Sequence, residues 1–120
     1  MTFIYDEKMQ CFSKEMNDIL FSSDEVPDTA IEITANRLAK IYKNKLPFIA
    51  EYIVNHLEFI EVYGKMSKEE LLELFNEMTI PWIFLKDDNS GTIAYADSNY
   101  VIELSVVGDF EGFSDLSIDS

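Results

Sequence analysis

A chain of 120 residues carrying 23 acids against nine bases has a formal net charge of −14 and an isoelectric point near 4.2. Such a chain lacks the cations that neutralise phosphates or attract anionic lipid, which excludes direct nucleic-acid binding and adsorption to membrane surfaces. Its 48% apolar content places it with folded rather than disordered proteins, and its length suits one domain, residues 1–120, burying roughly two thirds of its unfolded surface.

The first twenty residues place Tyr5, Met9, Phe12, Met16 and Ile19 at three- and four-residue intervals, so the spacing predicts an amphipathic helix. Ser22 to Glu25, with Pro27, interrupts it. Thr29 and Glu32 have the spacing of a capping box, which starts a second helix. Its apolar row is Ile31, Ala35, Leu38 and Tyr42, with Arg37, Lys40, Lys43 and Lys45 toward its C-terminal end. Pro47 has no amide hydrogen to donate and suits a first helical turn, so the helix is expected to split there. The third helix then covers about residues 47–63, with Gly64 as its stop. Ser67 and Glu70 form another capping box, and a fourth helix carries Leu71, Leu72, Leu74, Phe75 and Met78.

The period changes after Pro81. Trp82 to Lys86 is an aromatic and β-branched run that reads as a strand. Asp87 to Gly91 is turn chemistry, Thr92 to Ala96 alternates, Asp97 to Asn99 turns again, and Tyr100 to Val106 alternates with Glu103 on its polar side. A fourth strand is expected near Phe113 to Ile118. The fold class read from this order is α+β, with about four N-terminal helices (residues 1–80) packed on a C-terminal antiparallel meander of three to four strands (residues 81–120).

Candidate chemistry is sparse. Cys11 is the one cysteine, so no internal disulfide forms and no zinc spacing exists; a structural thiol is the expectation. His56 is the one histidine and falls in the apolar stripe of the third helix, where it reads either as a core imidazole or as the general base of a pocket. Asp87, Asn89 and Gly91 resemble the start of a calcium loop, but the glycine and the closing glutamate are out of place, since the sixth and twelfth positions are Thr92 and Ser98. Four glycines form no phosphate loop. No catalytic residue, metal or cofactor is expected. The N-terminus lacks a basic start followed by an apolar core, and no apolar run has the length of a membrane span, so a cytoplasmic location is expected.

The charge distribution is the one signal left. Residues 61–120 hold thirteen acids and three bases, and no base follows Lys86. Acids mixed with aromatics suit a protein interface in which rings anchor and carboxylates steer. The residues expected to meet a partner are Asp87, Asp88, Tyr95, Asp97, Tyr100, Glu103, Asp109, Phe110, Glu111 and Asp115. The partner expected is a basic protein, such as a nuclease or another nucleic-acid enzyme, blocked electrostatically and sterically. Immunity proteins against toxin nucleases and phage proteins that mimic DNA to defeat host defence are small and acidic in this way. The alternatives are a ligand or enzyme domain with a pocket around His56, and an acidic accessory subunit whose charge has no specific role.

Overall fold

The computed structural model describes residues 3–120. Seven strands form one sheet in sequence order: β1 (Ile4–Asp6), β2 (Cys11–Met16), β3 (Ile19–Ser23), β4 (Trp82–Leu85), β5 (Ser90–Ala96), β6 (Val101–Val107) and β7 (Gly112–Asp119). Three helices, α1 (Thr29–Val54), α2 (Leu57–Tyr63) and α3 (Lys68–Phe75), are inserted between β3 and β4. Every neighbouring pair is antiparallel except β3 and β4, which run parallel, as the helical crossover between them requires.

This order overturns the expected four N-terminal helices. The first twenty-three residues hold three strands, and the sheet runs continuously from them into the C-terminal meander. The helical spacing of Tyr5 to Ile19 was coincidental. Asn17 and Asp18 both adopt positive φ, the geometry of a two-residue hairpin turn, between strands in which Phe12, Lys14 and Met16 face the partners Ser23, Phe21 and Ile19. Asp6 holds the preceding turn by accepting from the amides of Lys8 and Met9.

The expected split at Pro47 does not occur either. α1 continues through Pro47 because Ile49, Ala50 and Ile53 behind it are completely buried, and that packing outweighs the one hydrogen bond the proline cannot donate. Asp28 rather than Thr29 caps α1, its carboxylate accepting from the Ile31 amide. The chain breaks instead at Asn55 and His56. The expected Ser67–Glu70 capping box is present with both of its bonds.

All three helices lie on one face of the sheet. They close a single core with Phe21 of β3, Ile83 and Leu85 of β4, Ile93 and Tyr95 of β5, and Ile102, Leu104 and Val106 of β6. Inside it the Tyr42 and Tyr95 hydroxyls share a hydrogen bond of 2.6 Å, and Phe75 stacks on Tyr95 at 4.2 Å between ring centroids. Gly91 is needed where β4 and β5 approach, because a Cβ there would meet the Phe84 carbonyl oxygen. The opposite face of the sheet carries no helix among the described residues.

Candidate functional site

Strand polarity decides where the acids gather. Because β3 and β4 are parallel, the β3–α1 loop and the β4–β5 turn leave the same end of the sheet, and the β6–β7 loop returns to that end as well. The three segments bring Asp24, Glu25 and Asp28, then Asp87 and Asp88, then Asp109 and Glu111 to one rim. Lys86 is the one base within these segments.

Specific bonds hold the rim together. The Thr34 hydroxyl donates to the Asp88 carbonyl at 3.2 Å, fastening the first turns of α1 to the β4–β5 turn. The Gly108 amide donates to the Asn89 carbonyl at 2.8 Å, which joins that turn to the β6–β7 loop. Arg37 of α1 pairs with Asp109 at 2.7 Å, so of the basic cluster foreseen on this helix only Arg37 neutralises a rim acid, among the described residues. Asp87 accepts from the Asn89 amide and the Ser90 hydroxyl, and these bonds hold its carboxyl below the usual range. The Asp87 carboxylate is thus held in its charged form by the turn itself. Between the β3–α1 loop and the β4–β5 turn lies a cleft of about 550 Å³, lined by Asp24, Glu25, Asp28, Lys86, Asp87 and Asp88 together with Val26 and Phe84.

No family model, curated protein or solved structure matches this chain. The site is therefore read from its own chemistry.

The ten residues expected to meet a partner do not form one surface. Asp87, Asp88, Asp109 and Glu111 converge on the rim. Tyr95 and Phe110 are each 2% exposed and belong to the core; Phe110 packs edge-on against Tyr42. Asp97 and Tyr100 lie at the opposite end of the sheet. There Asp97 accepts from the Asn99 and Tyr100 amides and from the Tyr63 hydroxyl. Burial raises the Asp97 carboxyl, and the three hydrogen bonds together outweigh burial and leave it below its ordinary value. Glu103 stands on the helix-free face. Asp115, at positive φ, occupies the bulge where β7 slips against β6.

The β3–α1 loop was missed, although Asp24, Glu25 and Asp28 complete the rim. They sit far from the C-terminal acids in sequence, and only the parallel β3–β4 pairing brings them close. The acids of α3, such as Glu69 and Glu73, lie on a separate exposed helix face.

His56 is not in the middle of an apolar stripe. It caps α2, its Nδ1 accepting from the Glu58 amide at 3.3 Å, and borders a shallow hollow of about 420 Å³ with Phe48, Tyr52 and Phe113. Cys11 is buried, and burial, followed by the charges of Asp6 and Asp24, pushes its thiol above the ordinary value. That is the environment of an inert thiol. Among the described residues no helix is long and apolar enough to cross a membrane, and no cluster of three or more histidine, cysteine or carboxylate side chains could hold a metal ion.

Proposed function

We propose that this protein is a small acidic inhibitor that occludes a basic protein, such as a nuclease or another nucleic-acid enzyme, through the carboxylate rim at the carboxyl ends of β3 and β4. One observation carries the reading. Three segments remote in sequence bring seven carboxylates to one end of the sheet, where the β4–β5 turn is bonded both to the β6–β7 loop and to the first turns of α1. Ordered like charges repel, so the arrangement costs stability unless a cationic surface gains from the field. Ordered loops also lose little entropy on docking.

The mechanism is steric and electrostatic. The rim presents anions where the target expects phosphates, attraction speeds the encounter, and the folded sheet behind the rim blocks the groove. The test is to recover the target from the host by affinity capture and measure association against salt. The expected result is an association rate that falls several-fold between low and moderate ionic strength, as screening by a Debye length of about 8–10 Å predicts. Charge reversal of Asp24, Glu25, Asp87 and Asp88 to lysine should abolish it. Binding that survives this reversal refutes the proposal.

A further inference from the structure

The helix-free face of the sheet carries a trench. Along β5 this face presents only small side chains, Ser90, Thr92, Ala94 and Ala96. On one side stand Trp82 and Phe84 of β4, and on the other stands Glu103 of β6. The register aligns them, because Trp82 pairs with Ala94 and Ala94 with Glu103, while Phe84 pairs with Thr92 in the neighbouring row. Two strand spacings separate the aromatic wall from the carboxylate wall, about 10 Å between backbones. The hollow enclosed by Trp82, Phe84, Thr92, Ala94 and Glu103 has a volume of about 300 Å³.

The walls have complementary chemistry. The Trp82 indole N–H already donates to the Ser22 hydroxyl at 2.5 Å, so the ring is oriented and what it has left to offer is its π surface, with the residue 38% exposed. Glu103 is exposed and has no ion pair among the described residues. A flat aromatic wall, a floor of small residues and a free carboxylate opposite suit a cation carried on an apolar stem. A guanidinium fits better than an ammonium, since it stacks on aromatic rings and presents a planar fork to a carboxylate. Phe84 lines both this trench and the acidic cleft, so the two hollows share one side chain.

We infer that the trench receives one arginine side chain of the basic partner, with the guanidinium between Trp82 and Glu103. This rests on the reading of the rim as a partner surface and adds a specific anchor to its general field. The rim sets the rate of encounter, and the trench selects arginine.

Trp82 is the single tryptophan, so its fluorescence reports on the trench alone. The experiment titrates the whole protein with the peptide acetyl-Arg-Gly-Arg-Gly-Arg-amide and with its lysine and citrulline counterparts. Trp82 emission is followed in parallel with calorimetry. The expected result is saturable quenching by the arginine peptide, weaker binding of the lysine peptide and no response to citrulline. Glu103→Gln should weaken the arginine peptide about tenfold, the equivalent of one charge-assisted hydrogen bond. Ala94→Leu, which fills the floor, should remove the fluorescence response, with circular dichroism confirming the fold of both variants. Equal binding of lysine and arginine peptides, or full affinity in Glu103→Gln, overturns the inference.

A rim variant, Asp87→Asn with Asp88→Asn, separates this failure from failure of the rim. If the rim variant loses binding while Glu103→Gln keeps it, the trench is wrong and the rim stands. If Glu103→Gln loses binding while the rim variant keeps it, the trench stands and the rim is wrong. Absence of binding by every peptide at millimolar concentration overturns both.

Discussion

The Tyr42–Tyr95 hydrogen bond joins the middle of α1 to β5, and through α1 it supports the Thr34 contact that fastens the rim. Replacing Tyr95 by phenylalanine keeps the ring on Phe75 but strands the hydroxyl of Tyr42, a residue only 7% exposed. A buried hydroxyl left without a partner costs about 1–3 kcal/mol, and for a domain of this size each kcal/mol lowers the melting temperature by roughly 4 °C. Tyr42→Phe should cost a similar amount for the mirror reason. The double variant removes both polar atoms together and should recover to within about 1 kcal/mol of the native protein, a coupling energy of at least ~1 kcal/mol. Urea unfolding followed by circular dichroism at 25 °C measures all four proteins, with an unchanged m-value confirming that the unfolding reaction is the same. If the two single losses simply add in the double variant, the two hydroxyls do not satisfy each other in the core and this account of the α1–β5 contact is wrong.

Gly91→Ala should destabilise by about 1–3 kcal/mol, because the new methyl meets the Phe84 carbonyl at a backbone pairing that cannot retreat. Chemical denaturation checks it, and a neutral result would show that β4 and β5 are spaced more widely. Ser67→Ala removes one bond of the α3 capping box and should cost about 1 kcal/mol, read as a lower thermal midpoint. pH dependence follows from the tyrosines. Burial raises the hydroxyls of Tyr42 and Tyr95, and burial with Asp97 raises that of Tyr63. Their contribution is complete below the unfolded value near pH 10 and is lost as pH climbs past it. Absorbance at alkaline pH should show these three ionising only as the protein unfolds. At the acid end, the lowered carboxyls of Asp87 and Asp97 support the fold above their ordinary range. That support fades as pH falls below about 4.

Local patterning made the second half of the chain legible. β4, β5 and β6 alternate cleanly because one face is buried under helices and the other is open, and the turns at Asp87 and Asp97 announce themselves by residue type. The stop at Gly64 and the Ser67–Glu70 box followed from capping chemistry, whereas α1 is capped by Asp28, one residue before the expected Thr29. The N-terminal hairpins escaped because their apolar residues satisfied two periods at once, and because the turn at Asn17 and Asp18 lacks the glycine that usually marks it. α1 ran through Pro47 because burial of Ile49 and Ile53 is a tertiary effect that local rules do not contain. The acid asymmetry foresaw only Asp87, Asp88, Asp109 and Glu111 among the carboxylates that share the rim. Parallel pairing of β3 with β4, a contact across some sixty residues of sequence, recruits Asp24, Glu25 and Asp28, while burial removes Tyr95 and Phe110. His56 was placed by a helix break that no residue type signalled.

The central claim is that the rim at the carboxyl ends of β3 and β4 is the surface that meets a cationic partner. Amide chemical-shift mapping of the isotopically labelled protein, titrated with a hexa-arginine peptide at low salt, tests it most directly. The account predicts the largest shifts in residues 24–28, 86–90 and 108–111, fading as salt is added. Shifts centred on Glu69 to Glu77 of α3, or spread over the surface in proportion to its carboxylates, would contradict it.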